Sequence, residues 1–192
     1  MARYDAIHKK ATRARILETA GRRLKRDGID GTGVAILMKD AGLTNGAFYA
    51  HFDSKEDLVA HVVTEELRGQ QERFAALGPG SDGLGVLLGQ YLSPGHRDAP
   101  SEGCPSAALL DEIARCSPTT RTAYTAGVLD IVTEIGARLD RDPDDRETRS
   151  LVLAVYALLI GAIQLSRALT DTDLAAGVLD QAKRQAERML GL

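Results

Sequence analysis

The chain has 192 residues, 44% of them hydrophobic and 27% charged, with a net charge of −3. Those values are ordinary for a globular protein of one domain or two small ones and leave enough apolar material for a core without staples. Cys104 and Cys116 are the only cysteines, and no charged segment followed by an apolar stretch opens the chain, which argues against a secretory signal and for thiols in a reducing cytoplasm.

In chain order, residues 12–27 place Ile16, Leu17, Ala20 and Leu24 on one helical face and surround them with arginine and lysine. Gly28 closes this helix at the usual C-cap position. After a turn, Val34, Leu37, Met38 and Ala41 mark a short second helix ended by Gly42, and Thr44 is the expected N-cap of a short third. Ser54 and Asp57 have the capping-box spacing. They open a long fourth helix on which Val59, Val63, Leu67, Gln70, Phe74 and Leu77 recur at steps of three and four.

The segment "GPGSDG" stops that helix. Residues 83–93 then predict a short helix, "SPGHRDAPSEG" a loop, and Pro105 to Cys116 a helix. Ser117-Pro118 supplies an N-cap and a first-turn proline for a helix running to about Leu139. Asp142-Pro143 repeats the device before an apolar helix over 146–169, and Thr170 with Asp173 caps a last amphipathic helix carrying Leu174, Val178, Ala182 and Met189. The fold class expected is all-α, with three helices in residues 1–54 and six in 55–192. The longest apolar run, Leu151 to Ile163, is shorter than the roughly 17 residues that span a bilayer, so it predicts a buried helix and no membrane partner.

Charge divides the chain in the same place. Residues 1–52 hold ten Lys or Arg against five Asp or Glu, a net +5, and the remainder is −8. A basic head on an acidic body implies that only the head meets a polyanion. Residues 34–51 have the helix-turn-helix layout, whose second helix enters the DNA major groove. A groove about 12 Å wide requires a slim leading end, and Thr44, Asn45, Gly46 and Ala47 provide one. Asn45 can pair with an adenine edge, and the Ala47 methyl can touch thymine. Phe48 and Phe52, four apart, would brace this tip from behind. Tyr49 is placed for a phosphate contact, and His51 either for packing of the recognition helix or for a phosphate contact. Lys55 stands in the first turn of the fourth helix, and Thr32 and Gly33 offer free amides at the start of the second. The bland alternative is a helical hairpin whose rings merely fill a core.

The segment "TRARILETAGRRLKRDGIDGTGVAILMKDAGLTNGAFYAHFDSKEDL", residues 12–58, resembles the amino-terminal domain of the tetracycline-repressor (TetR/AcrR) family. Its G-I-D-G-T turn, A-G-L-T, G-A-F-Y-x-H-F core and S-K-E-D-L occur in the family's order and spacing. Ile36 and Met38 depart from the usual residue types. The resemblance implies a DNA-binding head, a ligand-binding and dimerisation body, and a homodimer on a near-palindromic double-stranded operator, usually as a repressor. It also implies a small-molecule effector among the middle helices of the body, for which Phe74, Tyr91, Leu109, Tyr124, Tyr156 and Gln164 are candidates. With few buried charges in view, a mostly apolar or aromatic effector is expected. The small residues Ala154, Ala157, Gly161 and Ala162 suit a close helix approach, so the last two helices are the expected dimer interface.

Cys104 opens a helix, where free amides and the macrodipole favour a thiolate, and some relatives with a G-C element there respond to oxidants or electrophiles. A thiol-based sensor is therefore the alternative reading. A Cys104–Cys116 bridge is not expected, because twelve helical residues span about 18 Å. No metal-ligand spacing, cofactor motif or catalytic set is apparent; Cys104 with His96 is the only close nucleophile–base pair, which argues against an enzyme. A helical interaction module without nucleic acid is the remaining competitor.

Overall fold

The computed structural model describes residues 2–139 and 141–192, with side chains from residue 7 onward. Among these residues there are helices and no strand. They are α1 (Ala2–Asp27), α2 (Val34–Asp40), a 3-10 helix (Asn45–Ala50), α3 (Lys55–Ala75), α4 (Gly80–Tyr91), α5 (Pro94–Asp98), a 3-10 turn (Pro100–Glu102), α6 (Pro105–Arg115), α7 (Pro118–Gly136), α8 (Arg146–Ala168) and α9 (Thr172–Leu190).

Local chemistry sets most of these boundaries. Gly28 ends α1 in the left-handed region, φ +83, where a side chain would be strained. Ser54 Oγ accepts from the Asp57 amide while Asp57 Oδ2 accepts from the Asp53 amide, each at 3.1 Å, a reciprocal cap that fixes the start of α3. Ser117 caps α7, with Pro118 in its first turn.

Several boundaries differ from the sequence expectation, among them the start of α1 at Ala2 rather than residue 12 and of α4 at Gly80 rather than residue 83. Asp145, not Asp142-Pro143, caps α8; its carboxylate accepts from the Glu147 and Thr148 amides at 3.0 Å. Asp171, not Thr170, caps α9 by accepting from Asp173 and Leu174 at 2.9 Å. In both, an aspartate adjoining the helix reaches two free amides at once, which a more distant residue does not. Nor is "SPGHRDAPSEG" all loop: Ser93 Oγ accepts from the His96 amide at 3.2 Å with Pro94 in the first turn. That is the same device that starts α7, applied over a single turn.

The head closes around Ile16, Ala20, Leu24, Leu37, Met38, Phe48 and Phe52, all buried. In the body α3 and α7 lie side by side and run the same way. Their amino ends share a cleft lined by Lys55, Ser117 and Thr120, and at their far ends the Arg138 guanidinium donates to the Phe74 carbonyl at 2.7 Å. They meet closely because Gly127 faces Leu67; a Cβ at 127 would sit 2.7 Å from the Leu67 Cβ. The buried side chains of head and body form one continuous cluster.

Helix α8 is not buried on every side, as its composition suggests. Val152, Val155, Tyr156, Leu159 and Ile163 face the core, but Leu153, Ala154, Ala157, Gly161 and Leu165 are exposed. At 23 residues α8 is long and apolar enough to cross a membrane by length and composition. Its packed face against α7 and α9 belongs instead to the core of this fold.

Candidate nucleic-acid interface and effector cavity

The tip of the head has the shape its residues dictate. Asn45–Ala50 is a 3-10 helix, slimmer than the α-helix expected. Thr44, Asn45 and Gly46 are exposed and Ala47 is half-buried. Thr44 makes no side-chain cap. Behind the tip the Phe48 and Phe52 rings lie 5.8 Å apart in the core, and the Arg13 guanidinium stacks 4.6 Å over Phe52. Tyr49 meets Phe48 edge-on yet is 74% exposed, with its hydroxyl toward solvent.

Three of the expected contact residues are engaged elsewhere. The Thr32 side chain is buried and its hydroxyl donates to the Gly28 carbonyl at 3.0 Å, which leaves only backbone at 32 and 33 to face a phosphate. Gly33 itself is exposed and caps α2 without a side chain. The His51 Nδ1 is buried and unpartnered. Burial, with Lys9 and Arg13 nearby, holds this imidazole below its ordinary pKa, so His51 is a neutral packing ring rather than a cation. The Lys55 ammonium donates to the Ile29 carbonyl at 2.6 Å and turns toward the junction with the body. Arg23 is likewise committed, to Asp40 at 2.6 Å and Asp27 at 2.7 Å. It pins α1 to α2 and lowers the Asp40 carboxyl from its ordinary pKa, while Arg26 and then Arg23 hold Asp27 well below the usual carboxylate range.

In the body a cavity of about 220 Å³ opens between α3, α4 and the Gly95–Cys104 segment, with Gln70, Arg73, Phe74, Tyr91, His96 and Cys104 in its wall. Of the sequence candidates, Phe74, Tyr91 and Cys104 line it. Tyr156 stands behind, its hydroxyl 3.3 Å from Cys104 Sγ and 3.0 Å from Ser106 Oγ, and Tyr124 donates to the same serine at 3.0 Å. Leu109 is plain core, and Gln164 lies on the exposed face of α8 outside the cavity. Helical spacing alone does not tell which way either points. Cys104 is the N-cap of α6 as expected, but it is 1% exposed rather than at the surface. Its amide donates to His96 Nε2 at 3.0 Å, while His96 Nδ1 lies 2.7 Å from the Tyr91 carbonyl. The imidazole is thus neutral with its proton on Nδ1, and it holds the cysteine backbone, not its thiol. Cys104 and His96 are not a nucleophile–base pair.

The cavity wall is bonded to the head. The buried Lys25 ammonium of α1 donates to the Gly103 carbonyl at 3.2 Å and to Glu66 of α3 at 2.7 Å. Gly21 leaves room for that carboxylate; a Cβ there would meet Glu66 Oε1 at 2.1 Å. Glu112, in the last turn of α6, accepts from the Ile29 and Asp30 amides at 2.7 and 3.0 Å. Gly28 makes the space, since a Cβ at 28 would lie 2.8 Å from Glu112 Oε1. Lys55 holds the same turn by its Ile29 carbonyl. None of these partners was apparent in the sequence, where they stand 26 to 83 positions apart.

Comparison with known proteins agrees with this geometry. Residues 16–62 match the model for bacterial regulatory proteins of the tetR family. The transcriptional regulator AcrR of Shigella flexneri is 37% identical over 90 residues, which cover 45% of this chain but only 41% of that protein. The transcriptional repressor NemR of Escherichia coli strain K12 is 24% identical over 162 residues, 79% of this chain and 81% of NemR. The crystal structure of the reduced form of Escherichia coli NemR superposes with a TM-score of 0.74 at 21% identity, covering 93% and 96% of the two chains. FadR of Bacillus subtilis, solved in complex with stearoyl-CoA, superposes with a TM-score of 0.64 at 14% identity over 92% and 97%. Motifs, helix order and fold converge: residues 16–62 are a helix-turn-helix head of the tetR family of bacterial regulatory proteins, and the described chain has the fold of solved TetR-family structures.

Proposed function

We propose that the chain is a dimeric repressor that leaves a near-palindromic operator when a small molecule enters the α3–α4–α6 cavity, with residues 1–54 as the DNA-binding domain and 55–192 as the effector and dimerisation domain. The observation that carries the DNA-binding part is the exposed Thr44–Tyr49 tip on a pair of fully buried phenylalanines: an uncapped, small-residue probe whose one large exposed ring ends in a hydroxyl. That role places the protein in the cytoplasm. Repression is favoured because NemR, similar over most of its length, is a repressor.

The exposed apolar face of α8 and α9 supports a two-fold interface. Leu153, Leu165 and Leu174 are each more than 40% exposed, and Gly161 and Gly177 have open space where a Cβ would stand. A partner's helices can therefore approach closely. Release follows from the bonded wall. Cys104 lies at one end of α6 and Glu112 at the other, so a ligand that displaces this rod, or the Gly103 carbonyl, moves the head through Glu112 and Lys25. A differential affinity of a few kcal/mol between the two head spacings suffices.

The test is a gel shift across a salt series with DNA selected from the genome. Affinity should fall steeply with salt as phosphate contacts release counterions, and Tyr49→Phe should weaken binding about tenfold, one charge-assisted hydrogen bond. Salt-independent binding would favour the interaction module instead, and full affinity in Tyr49→Phe would remove the Tyr49 contact. A second reading, release by thiol modification, is favoured by Cys104 Sγ lying in the cavity wall beside Tyr156. A Cys104→Ser variant that still responds to the inducing compound would exclude it.

A further inference from the structure

The Tyr91 hydroxyl is buried and has no hydrogen-bond partner, although its side chain lines the cavity. A buried donor left unpaired costs about 1–3 kcal/mol, and nearly all such groups in native proteins find a partner. Tyr156, Tyr124, Ser106 and the Cys104 thiol, a few ångströms away, are linked to one another. The Tyr91 hydroxyl lies beside the Cys104 thiol of that chain without a well-formed hydrogen bond; sulfur is a weak acceptor, so a ligand oxygen is the natural partner.

The charges that bear most on His96 in the cavity wall are positive. Arg73, in its wall, bonds only the Gln70 side-chain oxygen, at 2.8 Å, and pairs with no carboxylate among the described residues. Arg167 spends its guanidinium on the Arg97, His96 and Ala107 carbonyls, all at 2.9 Å. His96 is held below its ordinary pKa first by burial and then by Arg167, Arg73 and Lys25; no carboxylate opposes them. Glu102, the one acid in the wall, is exposed and faces Arg22 at 3.7 Å. The walls are otherwise flat and apolar: the Phe74 and Tyr91 rings lie 6.5 Å apart and Tyr91 meets His96 edge-on at 4.6 Å. A dry cavity of about 150 Å³ takes benzene, so 220 Å³ takes an aromatic ring with one small substituent.

We propose that the cavity takes a small aromatic carboxylate, its ring against the Phe74 and Tyr91 side chains, its anion shared by the buried Tyr91 hydroxyl and the unpaired Arg73 guanidinium. This rests on the cavity being the effector site and narrows the apolar effector expected from the sequence to an acidic one. One acceptor oxygen satisfies Tyr91, and the anion's charge pairs with the Arg73 guanidinium, which meets no carboxylate among the described residues.

The full-length protein is titrated calorimetrically with benzoate, cinnamate and 1-naphthoate, and with benzamide and benzylamine as neutral and cationic counterparts. At least one carboxylate should bind at least tenfold more tightly than benzamide, and benzylamine should not bind. Tyr91→Phe, which keeps the ring, and Arg73→Gln, at an exposed position, should each weaken that carboxylate about tenfold, and Arg73→Gln should leave benzamide, which has no charge to pair, unchanged. Benzamide binding as well as the acids, Tyr91→Phe leaving their affinity intact, or no acid binding at all would each overturn the assignment. A gel shift separates this from the effector reading. If neutral compounds bind the cavity and release DNA, the ligand class is wrong and the effector site stands; if an acid binds as described but leaves DNA binding unchanged, the ligand class stands and the effector reading fails.

Discussion

Lys25 is the residue on which head and cavity depend most directly, and its removal should be felt first in stability. Its side chain is 4% exposed and that of Glu66 is 16% exposed. Replacing Lys25 with alanine strands the Glu66 carboxylate and the Gly103 carbonyl in a nearly dry site. Breaking one partner of a buried pair costs about 3–5 kcal/mol; Glu66 retains some water, which places this pair near the lower end, at about 3 kcal/mol. For a chain of this length that corresponds to a fall of roughly 6–12 °C in Tm. The assay is urea unfolding at fixed protein concentration, because a dimer's apparent stability depends on concentration. Lys25→Met combined with Glu66→Leu should recover most of the loss, since an apolar pair of similar volume is often neutral in such a site. A cost under about 1 kcal/mol for Lys25→Ala, or single effects that add to within about 0.5 kcal/mol, would refute the buried pair. In the Lys25→Met/Glu66→Leu protein DNA affinity should persist while release by the effector weakens, because the Gly103 link to α1 is gone.

Other outcomes follow from single contacts. Gly127→Ala places a Cβ 2.7 Å from both Cβ and Cδ1 of Leu67, so it should destabilise by about 1–3 kcal/mol as overpacking does; an unchanged urea midpoint would show that α3 and α7 pack more loosely. Leu165→Glu, on the exposed face of α8, should yield a monomer in sedimentation with unchanged helical content, and a dimer that persists would move the interface elsewhere. His96, neutral and held below its ordinary 6.5 by burial, binds a proton more readily when unfolded. Its contribution is therefore fully present above pH 6.5 and is lost as pH falls below that value toward the lower folded one. The urea midpoint should fall more between about pH 7.5 and about pH 5.5 in the natural chain than in His96→Gln; equal falls would remove the neutral His96–Cys104 bond.

The architecture was legible in the sequence wherever the controlling interaction is local. Ser54 with Asp57, Ser117 with Pro118 and the left-handed Gly28 each act within four residues, and each marked its helix end. Legibility failed where two local devices compete, as Asp142 and Asp145 do before α8, because only geometry decides which carboxylate reaches the first amides. The exposed tip of the head was legible for a further reason: its small residues and the two buried rings are neighbours in sequence as well as in space.

The cavity and its link to the head were not legible, since no local pattern marks them. Lys25 reads as one more base on a basic helix, yet its ammonium is buried against a carboxylate 41 positions away and a carbonyl 78 away. Glu112 reads as a solvated acid near a helix end, and Gly21 as an oddity inside a helix. Once folded, the three explain one another: a glycine makes space, an acid fills it, and a backbone turn or an ammonium is held. A regulator needs such contacts to be long-range, because they must join a site that senses to a site that reads. The same requirement hides them from inspection of the chain, so the residues that tune release here are best sought among glycines whose missing Cβ faces a distant acid, Gly21 opposite Glu66 and Gly28 opposite Glu112.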